Sequence, residues 1–163
     1  MRGKFCEIIT DLIRKDKKIY LLTGDFTYGL FDDLKRENPS HYINTGVTEQ
    51  ASMGMAAGMA LEGLKPYFFS ILPFTLERPF EQIKLDVVQQ KANVKIVAFW
   101  DYPTAGPTHL TKDPEALCKL LGLKFIKPRN REEAERVLIE SSKNPEPMFI
   151  YLTKDLTCEN DSS

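Results

Sequence analysis

Apolar residues recur at helical spacing over residues 4–15, where Phe5, Ile8, Ile9, Leu12 and Ile13 fall on one face and predict an amphipathic helix. The pattern then changes to short continuous apolar runs. "KIYLLTGD" (18–25) predicts a buried strand ending in a Gly-Asp loop, and "HYIN" (41–44) a second short strand. Between them "GLFDDLKREN" (29–38) predicts a short helix stopped near Pro39. A helix from about residue 48 is unusual, because Gln50 to Leu61 contains no charge. "KPYFFSIL" (65–72) predicts a strand, and Phe80, Ile83, Val87 and Val88 give a helix across "RPFEQIKLDVVQQK". "NVKIVAFWD" (93–101) is the plainest strand, rich in β-branched and aromatic residues. A loop over 102–112, a helix near 113–121, a strand "LKFIKP", a helix marked by Ala134, Val137, Leu138 and Ser141, and a strand at 147–153 complete the order. The tail "CENDSS" predicts disorder.

Continuously apolar strands that alternate with helices imply parallel pairing covered on both faces. The expected fold is a three-layer α/β/α domain over residues 1–153 with roughly six mainly parallel strands. Ligands in such sheets bind beyond the carboxyl ends of the strands. That rule gathers "TGDFTYG", "NTGVTEQ", "ILPFTLERPF" and "DYPTAGPTHL" along one edge.

Composition changes this picture little. The 163 residues carry 22 basic and 23 acidic side chains, so nothing in the charge favours nucleic acid or an anionic membrane. Three scattered cysteines without CxxC spacing fit a reducing compartment and argue against a disulfide framework or a cysteine-based zinc site. Charges every few residues in the first eighteen leave no signal-peptide core, and no apolar run approaches membrane-spanning length. The expectation is a soluble cytoplasmic protein that binds neither nucleic acid nor membrane. Recognised phosphate loops, nucleophile elbows and metal-ligand spacings are absent.

Glu49 opens the uncharged helix. As an ordinary helix-start acid it would favour the dipole, with Gly46 as N-cap and Glu49 reaching back in a loose capping box. As a functional group it would sit in an apolar wall, where desolvation favours a retained or shared proton. Gly54 and Gly58 lie one turn apart in the same helix, at about 1 kcal/mol each relative to alanine. Close approach of this domain's sheet or of a partner subunit's helix would offset that cost. Phe74, after Pro73, suits stacking on a flat ring, whereas Phe80 reads as core. Arg78 before Pro79 can fix a polar group of a ligand or partner. His109 lies in the loop after the strongest strand, His41 reads as structural, and Asp25 follows the first strand, where turn-forming Asp is common.

Taken in order, "TGDFTYGLFDDL", "INTGVTEQASMGMAAGMALEGLKPYFFSILPF", "RPFEQIKLDV", "NVKIVAF" and "GPTH" resemble the pyrimidine-binding domain of transketolase-type thiamine diphosphate enzymes. "GVTEQ" before a Gly/Ala/Met helix is the most specific element. The resemblance implies that Glu49 hydrogen-bonds the pyrimidine ring nitrogen and favours the imino tautomer, which takes the proton from the thiazolium carbon. It further implies cofactor contacts from Asp25, Val47, Phe74 and Arg78, a substrate-facing His109, and no metal ligand in this chain. The family's diphosphate-binding domain, with its GDG motif, and its C-terminal domain are not in this sequence. The expected partner is therefore a separate diphosphate-binding chain that holds magnesium, in a heterotetramer or at least a dimer, with a sugar substrate. The alternatives are a subunit of a two-chain 2-oxo-acid decarboxylase or dehydrogenase, and a non-catalytic dimerising or regulatory relic. The loop over 101–112 and Leu110, where relatives often carry a polar residue, leave the substrate open.

Overall fold

The computed structural model describes residues 1–27, 29–100 and 103–153. Six parallel strands form the central sheet: β1 (Ile19–Thr23), β2 (Tyr42–Asn44), β3 (Lys65–Ile71), β4 (Lys95–Phe99), β5 (Lys124–Ile126) and β6 (Met148–Leu152), in the order β2-β1-β3-β4-β6-β5. The register aligns Leu21 with Tyr67, Phe69 with Val97, and Val97 with Ile150, so side chains of equal parity stack across the sheet. One face carries Leu21, Tyr67, Phe69, Val97, Phe99 and Ile150 beneath the helices α1 (Arg2–Lys15) and α7 (Arg131–Ser141). The other carries Leu22, Phe68, Ile96, Ala98 and Phe149 beneath α3 (Glu49–Leu61) and α6 (Pro114–Leu121). Both faces are dry, which is why these strands read as continuous apolar runs. The expected three-layer parallel fold is the observed one.

Phe69 anchors the first face. Its ring lies 4.6 Å from Phe5, 5.4 Å from Phe26 and 5.8 Å from Phe31, spacings at which aromatic pairs attract beyond their burial. This packing ties the loop after β1 to the sheet. The strand order reverses on either side of β1, which pairs with β2 on one edge and β3 on the other. The carboxyl ends of these three strands therefore flank a crevice where open sheets take ligands.

Several local expectations are corrected. The strand predicted to Leu72 ends at Ile71, and a short helix α4 (Leu72–Leu76) follows, with Pro73 in its first turn and Thr75 Oγ1 donating to the Leu72 carbonyl. The helix predicted across residues 78–91 is α5 (Phe80–Gln82) running into a π-helical segment (Ile83–Val88). The helix predicted from Gly29 is α2 (Asp32–Glu37), because Gly29 has φ +72° and belongs to the preceding turn. His41 closes a 3₁₀ turn (Pro39–His41) before β2; its Nδ1 donates to the Ile19 carbonyl at 2.9 Å and its ring stacks on Tyr20. Asp101, Tyr102, Tyr28 and the tail from 154, read as disordered, lie outside the described residues. Among the described residues no helix is long and apolar enough to cross a membrane.

Candidate active site

A web of hydroxyls fixes the start of α3. After β2, Thr45 N and Oγ1 both donate to the Thr23 carbonyl, at 2.9 and 3.0 Å, which lashes the two strand ends together. Asn44 Oδ1 accepts from Gly46 N at 2.9 Å, and Gly46 turns the chain with φ +69°, a conformation that favours glycine. Thr48, not Gly46, is the N-cap, and its hydroxyl donates back to the Thr45 carbonyl at 2.7 Å. Ser52 Oγ lies 2.6 Å from Thr45 Oγ1 and 2.7 Å from the Thr48 carbonyl. The capping-box alternative for Glu49 is thereby overturned: hydroxyls hold this helix start, and the carboxylate is left for another partner.

That partner is Arg78. Glu49 is 9% exposed, and Arg78 Nη1 donates to its Oε1 at 2.6 Å. The Arg78 guanidinium also lies over the Phe74 ring, 3.5 Å from its centroid. The Phe74 ring also meets the His109 imidazole edge-on at 4.9 Å. Thr108 Oγ1 sits 3.0 Å from His109 Nδ1. The short α4 makes this possible, because Arg78 N bonds the Pro73 carbonyl at 3.2 Å and so curls back over Phe74. Residues from three separate loops thus form one continuous chain of contacts: Glu49, Arg78, Phe74, His109.

A cavity of about 490 Å³ opens beside it, lined by Val47, Thr48, Glu49, Gln50, Ala51 and Arg78. Val47 is 73% exposed at its rim. Asp25 stands exposed at the end of β1, with Asn44 Nδ2 at 3.5 Å from its carboxylate. Among the described residues no hydrogen bond or ring contact joins Asp25 to the Glu49–His109 chain. The hydroxyls of Thr45 and Ser52 escaped sequence reading, although "NTGVTEQAS" spaces three hydroxyls closely around the Gly turn. Phe80 packs against the core as read.

A second cavity, about 500 Å³, lies between α1 and Gly29–Leu34, beside Cys6, Glu7, Asp11 and Arg14. It is no better a centre for chemistry. Arg14 is already held by Asp11 and Glu37, and burial pushes the Cys6 thiol up to about 12, which favours its protonated form. Among the described residues no group of three His, Cys, Asp or Glu side chains is placed to hold a metal ion.

Residues 1–159 match the family model described as "Transketolase, pyrimidine binding domain". The chain belongs to this family. Among curated relatives it is 27% identical to one subunit of the apulose-4-phosphate transketolase of Phocaeicola vulgatus, over 91% of this chain and 49% of that protein. It is 31% identical to 1-deoxy-D-xylulose-5-phosphate synthase of Synechococcus elongatus, over 83% of this chain and 22% of that protein. A solved structure titled "Split gene transketolase, inactive beta4 tetramer" superposes with a TM-score of 0.83 at 26% identity, covering 93% of this chain and 50% of the other. The chain spans about half the length of the first two curated relatives it matches.

The residues present fit a thiamine-type aminopyrimidine. The space between Glu49 and Phe74 already accommodates one flat, nitrogen-bearing cation that stacks on the ring and donates to the carboxylate. An aminopyrimidine presents the same two features, a planar face and polar ring-edge nitrogens.

Proposed function

We propose that this chain forms the pyrimidine-binding half of a thiamine diphosphate-dependent transferase that moves a two-carbon ketol unit between sugar phosphates or related sugars. The diphosphate and magnesium are held by a diphosphate-binding domain on a separate, cytoplasmic partner chain, and the active site lies between the two. The observation that carries this reading is the buried Glu49 carboxylate and the Phe74 ring engaged together by one planar group, the Arg78 guanidinium. The names of two relatives agree with it, one a transketolase subunit and one a split-gene transketolase.

Bound here, thiamine diphosphate supplies a carbon nucleophile and an electron sink that no side chain can provide. This chain's residues position it and handle the proton. The Glu49 carboxylate would hold the proton shared with the ring nitrogen, in a buried setting that strengthens the hydrogen bond. Phe74 would stack on the ring face, Val47 would back it, and Asp25, exposed just after β1, would serve the thiazolium end. His109, half-exposed beyond Phe74, faces the substrate.

The partner packs on the outer face of α3. Met55 and Leu61 are exposed there, and a Cβ built on Gly58 would meet no atom within 4 Å. A Cβ on Gly54 would meet only Asp86, at 3.9 Å. The glycines therefore do not serve close packing on this domain's own sheet, the first of the two explanations considered for them. They suit a helix of another subunit, in a dimer or heterotetramer.

Reconstitution with a diphosphate-binding chain and assay of two-carbon transfer tests the proposal. Turnover should need both chains and be lost in Glu49→Ala. Turnover of a ketose by this chain alone with thiamine diphosphate would overturn the shared site, and 2-oxo-acid decarboxylation without ketol transfer would overturn the substrate class.

A further inference from the structure

We infer, on the reading that a pyrimidine binds between Glu49 and Phe74, that Arg78 is a displaceable placeholder which occupies the ring's position until the ligand arrives. Two contacts support this. Arg78 Nη1 takes the Glu49 oxygen at 2.6 Å, and the guanidinium plane covers Phe74 at 3.5 Å. These are the carboxylate and the aromatic face that an aminopyrimidine needs, and one side chain holds both. While Arg78 stays there, the Glu49 Oε1 and the ring face it covers are both taken.

Accessibility shows which partner can leave. The Glu49 side chain is 10% exposed and rooted in the first turn of α3, whereas the Arg78 side chain is 34% exposed at the cavity wall. The guanidinium has open space and water to move into, and the carboxylate does not. A placeholder also answers a physical requirement of the ligand-free chain, since a buried carboxylate without a counter-charge is strongly destabilising. The paired arginine keeps the site neutral and ordered until a ring nitrogen replaces it. Apparent affinity is then the intrinsic affinity reduced by the fraction of molecules in which Arg78 has swung away. On this account Arg78 acts as a gate to the ring pocket rather than as a ligand contact.

The test uses the purified full chain and, as probe, 4-amino-5-hydroxymethyl-2-methylpyrimidine, the free pyrimidine half of thiamine. Its dissociation constant is measured by calorimetry for the wild type and for Arg78→Met, Arg78→Lys, Glu49→Gln and Phe74→Ala. Arg78→Met should bind about fivefold more tightly because the closed state is gone. Arg78→Lys should fall between it and the wild type, since lysine can pair with Glu49 but offers Phe74 no plane. Glu49→Gln and Phe74→Ala should both bind more weakly. If Arg78→Met does not fold, the wild type remains informative through NMR. The Arg78 Nε–H proton, shifted by the Phe74 ring, should move towards its free position as the probe saturates. Weaker binding by Arg78→Met, or an unmoved Nε–H resonance at saturation, would overturn the placeholder while leaving the ring site intact. Absence of binding in every variant, or binding indifferent to Glu49 and Phe74, would overturn the ring site and the placeholder with it.

Discussion

Lys95 and Glu49 are both buried charges, but the fold holds them differently. At the amino end of β4, Lys95 is 2% exposed, and its ammonium donates to Asn93 Oδ1 and to the carbonyls of Asn144 and Glu146. Three oxygens close around it and fasten the turn between α7 and β6 to the sheet. At the carboxyl edge, Glu49 pairs among the described residues with one charged group, a half-exposed arginine, and borders a cavity. Lys95 is caged by three oxygens, whereas among the described residues the Glu49 carboxylate is held by one partner that is itself partly exposed. Burial alone does not separate the two; the number of partners and their freedom to move do.

Breaking each charge should therefore give opposite results. Glu49→Ala in the reconstituted enzyme should cut turnover by about a thousandfold, the usual scale for losing a proton-handling group, with only a small shift in melting temperature. Lys95→Met should leave turnover per folded molecule intact but lower stability by about 2–3 kcal/mol, because three oxygens lose their donor; denaturant unfolding would measure it. Equal stability losses from the two variants would contradict the contrast.

The pH dependence sharpens the lysine side. Burial pulls Lys95 down to about 8 from its ordinary 10.5. Between these values the folded chain binds fewer protons than the unfolded chain, so this group's contribution to stability rises with pH across that window. The unfolding free energy of the wild type, less that of Lys95→Met, should climb from pH 8 to 10.5 with a slope of at most about 1.4 kcal/mol per unit. A flat difference would mean that the ammonium is no more buried than a surface lysine.

The smallest expected effect concerns the uncharged helix. Gly58→Ala should stabilise the unassembled chain by about 0.5–1 kcal/mol, since the new methyl meets nothing, yet weaken assembly with the partner. Thermal melting of the free chain and sedimentation of the mixture would separate the two effects.

Much of this was legible in the chain because the strands are dry on both faces and so print themselves as apolar runs. Glu49 stood out because it opens an otherwise uncharged helix, and Phe74 because it follows Pro73 at the end of the apolar run. The helix α4 was hidden because "LPFTL" continues the apolar character of β3 without a polar face or a capping residue. The π-helical turn was hidden because Phe80, Ile83 and Val87 fit either helical repeat over so short a span. Lys95 looked like an ordinary residue in "NVKIVAF", since its acceptors come from residues 144 and 146, far along the sequence. Sequence separation also concealed the Glu49–Arg78 pair, 29 residues apart and joined across the turn after α4.

The most direct test of the account is deuterium exchange at the thiazolium carbon of thiamine diphosphate, followed by NMR in the reconstituted pair with wild-type chain and with Glu49→Gln. Proton handling by Glu49 predicts fast exchange in the wild type and a fall towards the free-cofactor rate in the variant. Equally fast exchange in both would contradict it.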